Sequence, residues 1–248
     1  MIKKQPEPQE RQLRVELAAA FRMVAHLDWH EGVVNHFSVA VSEDGKQFLL
    51  NPKWRHFAGL CASDLLLLDA DDSQVMARAD APDPTAWSIH GTLHARLPQL
   101  RCLLHLHPPY ATALACLADP QIKAIDQTTA RFHQRVVIDR YYSGMADDAD
   151  EGLRLSRLLA QHPVLLMGNH GVLVAGPSVA EAFDTLYHLE RACRTLMLAY
   201  ASGQPLSLLP DHVAERTARD WEGFSESSFA HFAENRRLLD ARHEDYAR

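Results

Sequence analysis

The sequence predicts a single α/β domain with hairpins rather than strict β-α-β order, on three observations. Stretches with helical apolar spacing alternate with short apolar runs bounded by turn residues. Two of these runs read as strand, turn, strand, and no internal repeat is present. The 248 residues are 47% hydrophobic and 23% charged, with 11 Gly and 13 Pro, enough for one sizeable core and too few breakers for disorder.

Taken in order, residues 1–8 are polar, with Pro6 and Pro8, and read as a flexible tail. Leu13, Leu17, Phe21, Val24 and Leu27 recur at helical steps, and Gly32 ends that helix. Ser38 to Ser42 reads as a strand, Asp44-Gly45 as a hairpin turn and Phe48 to Leu50 as the return strand. Leu65 to Leu68 is a short buried strand before an acidic loop. Ala86 to Arg96 reads as a helix with Thr85 as its cap and Pro98 beyond it. Cys102 to His107 is a strand stopped by Pro108-Pro109, and Tyr110 to Leu117 a short helix. Val136 to Asp139 is a strand and Glu151 to Gln161 a helix. Val164 to Met167, the turn Gly168-Asn169-His170-Gly171, and Val172 to Ala175 form a second strand pair. Ser178 caps a long helix from Val179 to Ser202, closed by Gly203 and Pro205. The expected organisation is a tail over 1–8, the domain over 9–210 and a helical extension over 211–248.

Composition excludes several roles. The 25 Lys and Arg against 32 Asp and Glu leave a net charge of −7, which argues against nucleic acid or an anionic membrane as partner. No apolar run spans a bilayer and no secretory signal opens the chain, so a cytoplasmic protein is expected. The four cysteines, at 61, 102, 116 and 193, have no zinc-knuckle spacing and read as reduced thiols, with Cys102, Cys116 and Cys193 in apolar, buried segments.

With 15 histidines, spacing decides which ones matter. His105 and His107 share one face of their strand, because side chains alternate, with Leu104 and Leu106 opposite. Their Cα atoms lie roughly 7 Å apart, close enough for the rings to converge on one metal. A surface strand with two solvated histidines has the same spacing. His170, in a glycine turn at another strand end, is the candidate third ligand; a plain turn histidine is the alternative. His90 reads as a packed helix residue, and the others as structural or solvated.

Beyond spacing, Leu103-Leu104-His105-Leu106-His107-Pro108-Pro109-Tyr110-Ala111-Thr112 and Asn169-His170-Gly171-Val172-Leu173-Val174-Ala175-Gly176 resemble the class II aldolase/adducin family. So do Asn35-His36-Phe37-Ser38-Val39, Asn51-Pro52 and Leu189-Glu190-Arg191-Ala192-Cys193, and together the likeness covers residues 10 to 205. The resemblance implies a single α/β/α domain with a central, largely antiparallel sheet. It also implies a divalent metal on His105, His107 and His170, zinc first, with iron or manganese as alternatives. It places His36, Asn51, Lys53 and Thr85 at the substrate and makes His36 and Tyr110 candidates for proton transfer. Family aldolases acting on sugar phosphates carry Ser-Ser-Glu where this chain reads Pro84-Thr85-Ala86, so the usual acid/base glutamate is replaced by Ala86. The family's Thr-Gly reads Lys53-Trp54, which obstructs a phosphate, although Lys53 still attracts an anion.

These departures point to the adducin-like branch. The leading reading is a metal-dependent lyase-type enzyme, performing aldol cleavage or decarboxylation of a small hydroxy- or oxo-acid or sugar-like substrate through a metal-stabilised enediolate. A non-heme iron oxygenase on the same three histidines and a non-catalytic adducin-like binding protein are the rivals. The family's tetramers and the aromatics Trp221, Phe224, Phe229, Phe232 and Tyr246 predict a homotetramer, or a homodimer, with contacts from residues 211 to 248.

Overall fold

The computed structural model describes residues 7–142, 144–145, 149–160 and 162–248. Residues 1 to 6 of the expected tail, and Gln161 at the end of an expected helix, lie outside them. The elements run α1 (Pro8–His26), β1 (His36–Ala40), β2 (Gln47–Leu50), β3 (Leu66–Asp69), α2 (Pro84–Ala86), a π-helical segment (Trp87–Gly91), α3 (Thr92–Arg96), β4 (Cys102–Leu106), α4 (Pro109–Ala115), α5 (Gln127–Ala130), β5 (Val136–Asp139), α6 (Ala149–Leu159), β6 (Val164–Met167), β7 (Gly171–Gly176), α7 (Val179–Ala201), α8 (Asp211–Glu222) and α9 (Ser225–Ala241).

The strands form one sheet in the order β3-β2-β1-β4-β7-β6-β5. Every pairing is antiparallel except β5 with β6. Alternation along each strand feeds two apolar layers. Phe37, Val39, Leu104, Leu106, Val172 and Val174 pack with α1, α4 and α7 on one face, while Leu103, Leu165, Leu173 and Ala175 pack with Ile89, Leu93 and α6 on the other. The result is helix on sheet on helix, the α/β/α arrangement the sequence implied.

Several boundaries differ from the sequence reading. The first helix starts at Pro8, inside the expected tail, because proline at a first helical position lacks only an N–H that has no partner anyway. It ends at His26, six residues before the left-handed Gly32. The first strand is His36–Ala40 rather than 38–42. Asp83, not Thr85, caps the helix before the site: its carboxylate accepts from the Thr85 and Ala86 amides. That helix then widens into the π segment, which Gly152 of α6 accommodates, since a Cβ there would stand 2.3 Å from the Ser88 carbonyl oxygen. Cys116 is exposed, because it follows the last turn of α4; Cys61, Cys102 and Cys193 are buried, and all four are free.

The aromatics near the C-terminus divide. Phe232 and Tyr246 are buried in the main core, Trp221 is half covered by the Arg131 guanidinium 5.0 Å from its ring, and Phe224 and Phe229 stay 56% and 50% exposed. The last residues also pair with the body: the Ala62 and Ser63 amides donate to the Tyr246 and Arg248 carbonyls at 2.8 and 2.9 Å, and Arg22 of α1 reaches Asp245 at 3.0 Å. No helix of the described residues is long and apolar enough to cross a membrane.

Candidate metal centre

One end of the sheet gathers the histidines. His105 lies at the end of β4, His107 just beyond it, and His170 in the β6–β7 turn. Asn169 takes the left-handed backbone at φ 56°, which turns the chain sharply, and the His170 amide donates to Met167 at 3.1 Å. The candidate ligand nitrogens of the three residues lie within 4.8 Å of one another.

Two of the rings are oriented from behind. His105 Nδ1 lies 3.0 Å from the Val172 carbonyl, which can only accept, so Nδ1 carries the proton and Nε2 is left for the site. His107 Nδ1 pairs with the Glu31 carboxylate, and its Nε2 is buried with no hydrogen-bond partner. A buried lone pair without a donor, beside two other imidazoles, is what a metal would satisfy. Burial, reinforced by the neighbouring His107, pushes His170 down to about 4, and burial also lowers His105. Neutral imidazoles are the form that ligates a metal. The donor set therefore fits a divalent cation.

His36 opens β1 directly across from His105, with ring centroids 4.8 Å apart. Its Nδ1 lies 2.8 Å from His90 Nε2 in the π segment, and burial holds His36 well below its ordinary value. Asn51 braces this corner by accepting from the Phe37 amide at 3.1 Å and donating to the Asn35 carbonyl at 3.3 Å. Lys53 is exposed, and Trp54 beside it is 63% exposed with φ 61°, a backbone that favours the glycine the family has there. The Thr85 hydroxyl donates to Asp83 at 2.6 Å. Ala86 is buried in an apolar cluster with Phe48, Leu50, Leu68 and Val75.

Tyr110 sits at the start of α4, its ring under the Arg194 guanidinium at 5.6 Å; among the described residues, the ring contacts that the three histidines make outside their own group are with His36 and Tyr142. The α4 N-terminus has no side-chain cap of its own, and buried Glu190 of α7 accepts from the Tyr110 and Ala111 amides at 2.8 Å each.

Sequence reasoning missed Glu31, Tyr142 and the role of His90 and His94. Only the last pair left a signal, since residues four apart on a helix share a face.

A family model described as the class II aldolase and adducin N-terminal domain matches residues 15–197. The chain belongs to this family. A Pseudomonas aeruginosa protein described as an aldolase class 2 protein is 30% identical over 214 residues, covering 86% of this chain and 81% of that one. A decarboxylase of Streptomyces niveus is 26% identical over 208 residues, covering 84% of this chain and 76% of that one. The crystal structure of an aldolase II superfamily protein from Pseudomonas syringae superposes with a TM-score of 0.88 at 29% identity over 98% of both chains.

Proposed function

We propose that this protein is a zinc-dependent, lyase-type enzyme that cleaves or decarboxylates a small hydroxy- or oxo-acid. The observation that carries the reading is the convergence of His105, His107 and His170, each ring turned by a partner or a tight turn so that their nitrogens meet. A divalent metal held there would supply Lewis acidity toward a substrate carbonyl or hydroxyl oxygen. Around it, Val172 and Glu31 hold the protons of His105 and His107 on Nδ1, and His36 faces the same space as the candidate donor of a proton or hydrogen bond to the substrate. Tyr110 is the weaker candidate, because its ring packs under Arg194.

Decarboxylation is favoured over sugar-phosphate cleavage. Ala86 offers no acid or base, Thr85 is tied to Asp83, and Trp54 occupies the place of a phosphate-admitting glycine. Lys53 and Asn51 remain at this corner, the lysine as the available cation for a substrate carboxylate. The similarity to a decarboxylase supports this choice. The nitrogen-only donor set also suits ferrous iron, so iron-dependent oxygen chemistry is the second reading. The four free cysteines suit a cytoplasmic setting. The exposed Phe224 and Phe229 support a homotetramer, or a homodimer, with residues 211–248 as an assembly extension on the 9–210 domain.

The test is metal content of the purified protein, followed by assay on hydroxy- and oxo-acids and on fuculose- or ribulose-phosphate. Bound zinc with acid turnover is expected. Full metal occupancy in His105→Ala/His107→Ala, or robust cleavage of a sugar phosphate, would overturn the reading. Oxygen-sensitive iron would favour the oxygenase, and a folded, metal-free protein the adducin-like binding role.

A further inference from the structure

We infer that His36 is held as the tautomer with its proton on Nε2, and that Ser38, His90 and His94 are positioning residues that impose it. The four side chains form a continuous buried file. His36 Nδ1 lies 2.8 Å from His90 Nε2, His90 Nδ1 lies 2.5 Å from Ser38 Oγ, and Ser38 Oγ lies 2.7 Å from His94 Nε2. All four residues are 2% exposed or less. Strand alternation puts His36 and Ser38 on the sheet face that packs under the π segment and α3, where His90 and His94 sit.

Proton accounting fixes the direction of the file. A neutral imidazole carries one ring proton and a serine one hydroxyl proton, so four protons serve three hydrogen bonds. Burial keeps His90 and His94 neutral, with His94 pushed down to about 3. His94 Nδ1 is buried with no partner. A proton there would be a donor without an acceptor, the rarest kind of unpaired group in a folded interior. His94 therefore keeps its proton on Nε2 and donates to Ser38. The Ser38 hydroxyl then donates to His90 Nδ1, and His90 donates from Nε2 to His36 Nδ1. The fourth proton is left on His36 Nε2. The opposite direction strands that proton on His94 Nδ1.

The consequence is chemical. Nδ1 of His36 is committed to His90, and its remaining nitrogen presents an N–H in the space shared with His105. In this form His36 is neither a base nor a fourth metal ligand. It is a hydrogen-bond donor suited to an anionic oxygen, that of a carboxylate or of a carbonyl gaining charge. What the donor contacts rests on the proposed function; the tautomer does not.

Nitrogen-15 histidine NMR on the full chain near pH 7.5, zinc-loaded and metal-free, tests the inference. A single protonated Nε2 is expected at His36, His90 and His94 in both forms. A proton on His36 Nδ1, a doubly protonated His36, or zinc on His36 Nε2 would overturn it, and these outcomes need no variant. Ser38→Ala breaks the file, and His36 is expected to lose its single form and show both tautomers, while Ser38→Thr, which keeps the hydroxyl, restores it. An unchanged His36 in folded Ser38→Ala would remove the positioning role. Because no substrate is present, failure of the lyase reading leaves this result standing.

Discussion

Gly171 stands against His107 so closely that a methyl on its Cα would lie 2.5 Å from the imidazole Cδ2 and 2.6 Å from the Leu106 carbonyl oxygen. The two residues belong to neighbouring strand ends, and only a glycine lets β7 begin where the histidine ring must stand. Gly171→Ala is therefore expected to displace His107. Metal affinity should fall at least tenfold and stability by about 2 kcal/mol, the usual scale of overpacking. Zinc titration and urea unfolding would check both, and wild-type zinc affinity in the variant would contradict the reading.

Glu31 tests the orientation of His107 from the other side. Its side chain is 65% exposed, so the fold does not depend on it, yet it holds the proton of His107 on Nδ1. Glu31→Gln should leave the melting temperature within a degree or two and weaken metal binding about 10- to 100-fold. Equal affinity in a competition assay with a chelator would refute it.

Glu190 gives a pH signature. Burial pushes its carboxyl up to about 7, against the pull of the Tyr110 and Ala111 amides. A folded value above the unfolded 4.5 means that its contribution is fully present below pH 4.5 and is lost as pH rises through 7. The loss amounts to roughly 3 kcal/mol over that window. Glu190→Gln should abolish this component. Denaturant unfolding at pH 5 and pH 8 would show it, and an identical pH slope in wild type and variant would count against it.

The exposed pair Phe224 and Phe229 bears on assembly. Deleting residues 210–248 would be a poor test, because Phe232 and Tyr246 are part of the main core. The double change Phe224→Asp/Phe229→Asp touches only exposed rings. Light scattering should show the mass fall to that of one chain with secondary structure intact; an unchanged oligomer would place the interface elsewhere.

The sequence made the convergence of His105, His107 and His170 legible because both of its signals are local. Strand alternation aligns His105 with His107, and the Asn169-His170-Gly171 turn announces itself by composition. The partnership of His36 with His105 was not legible from spacing, since it depends on β1 lying beside β4 across some seventy residues of chain. His90 and His94 escaped for another reason. A regular helix was expected over 86–96, and the π segment re-aims His90 toward β1 in a way that no apolar periodicity encodes. Glu31 lies in an irregular loop, where position cannot be read from pattern at all.

The backbone bonds from Ala62 and Ser63 to Tyr246 and Arg248 bear on how the chain is made. Synthesis proceeds from the N-terminus, so α1 leaves the ribosome before the elements that cover it. The buried Tyr246, part of the core shared with α1, is added after all the helices from α1 to α9. The apolar face from Leu17 to Val24 thus waits for the last of its cover until everything between it and Tyr246 has been made, as a hydrophobic surface that chaperones can hold in the meantime.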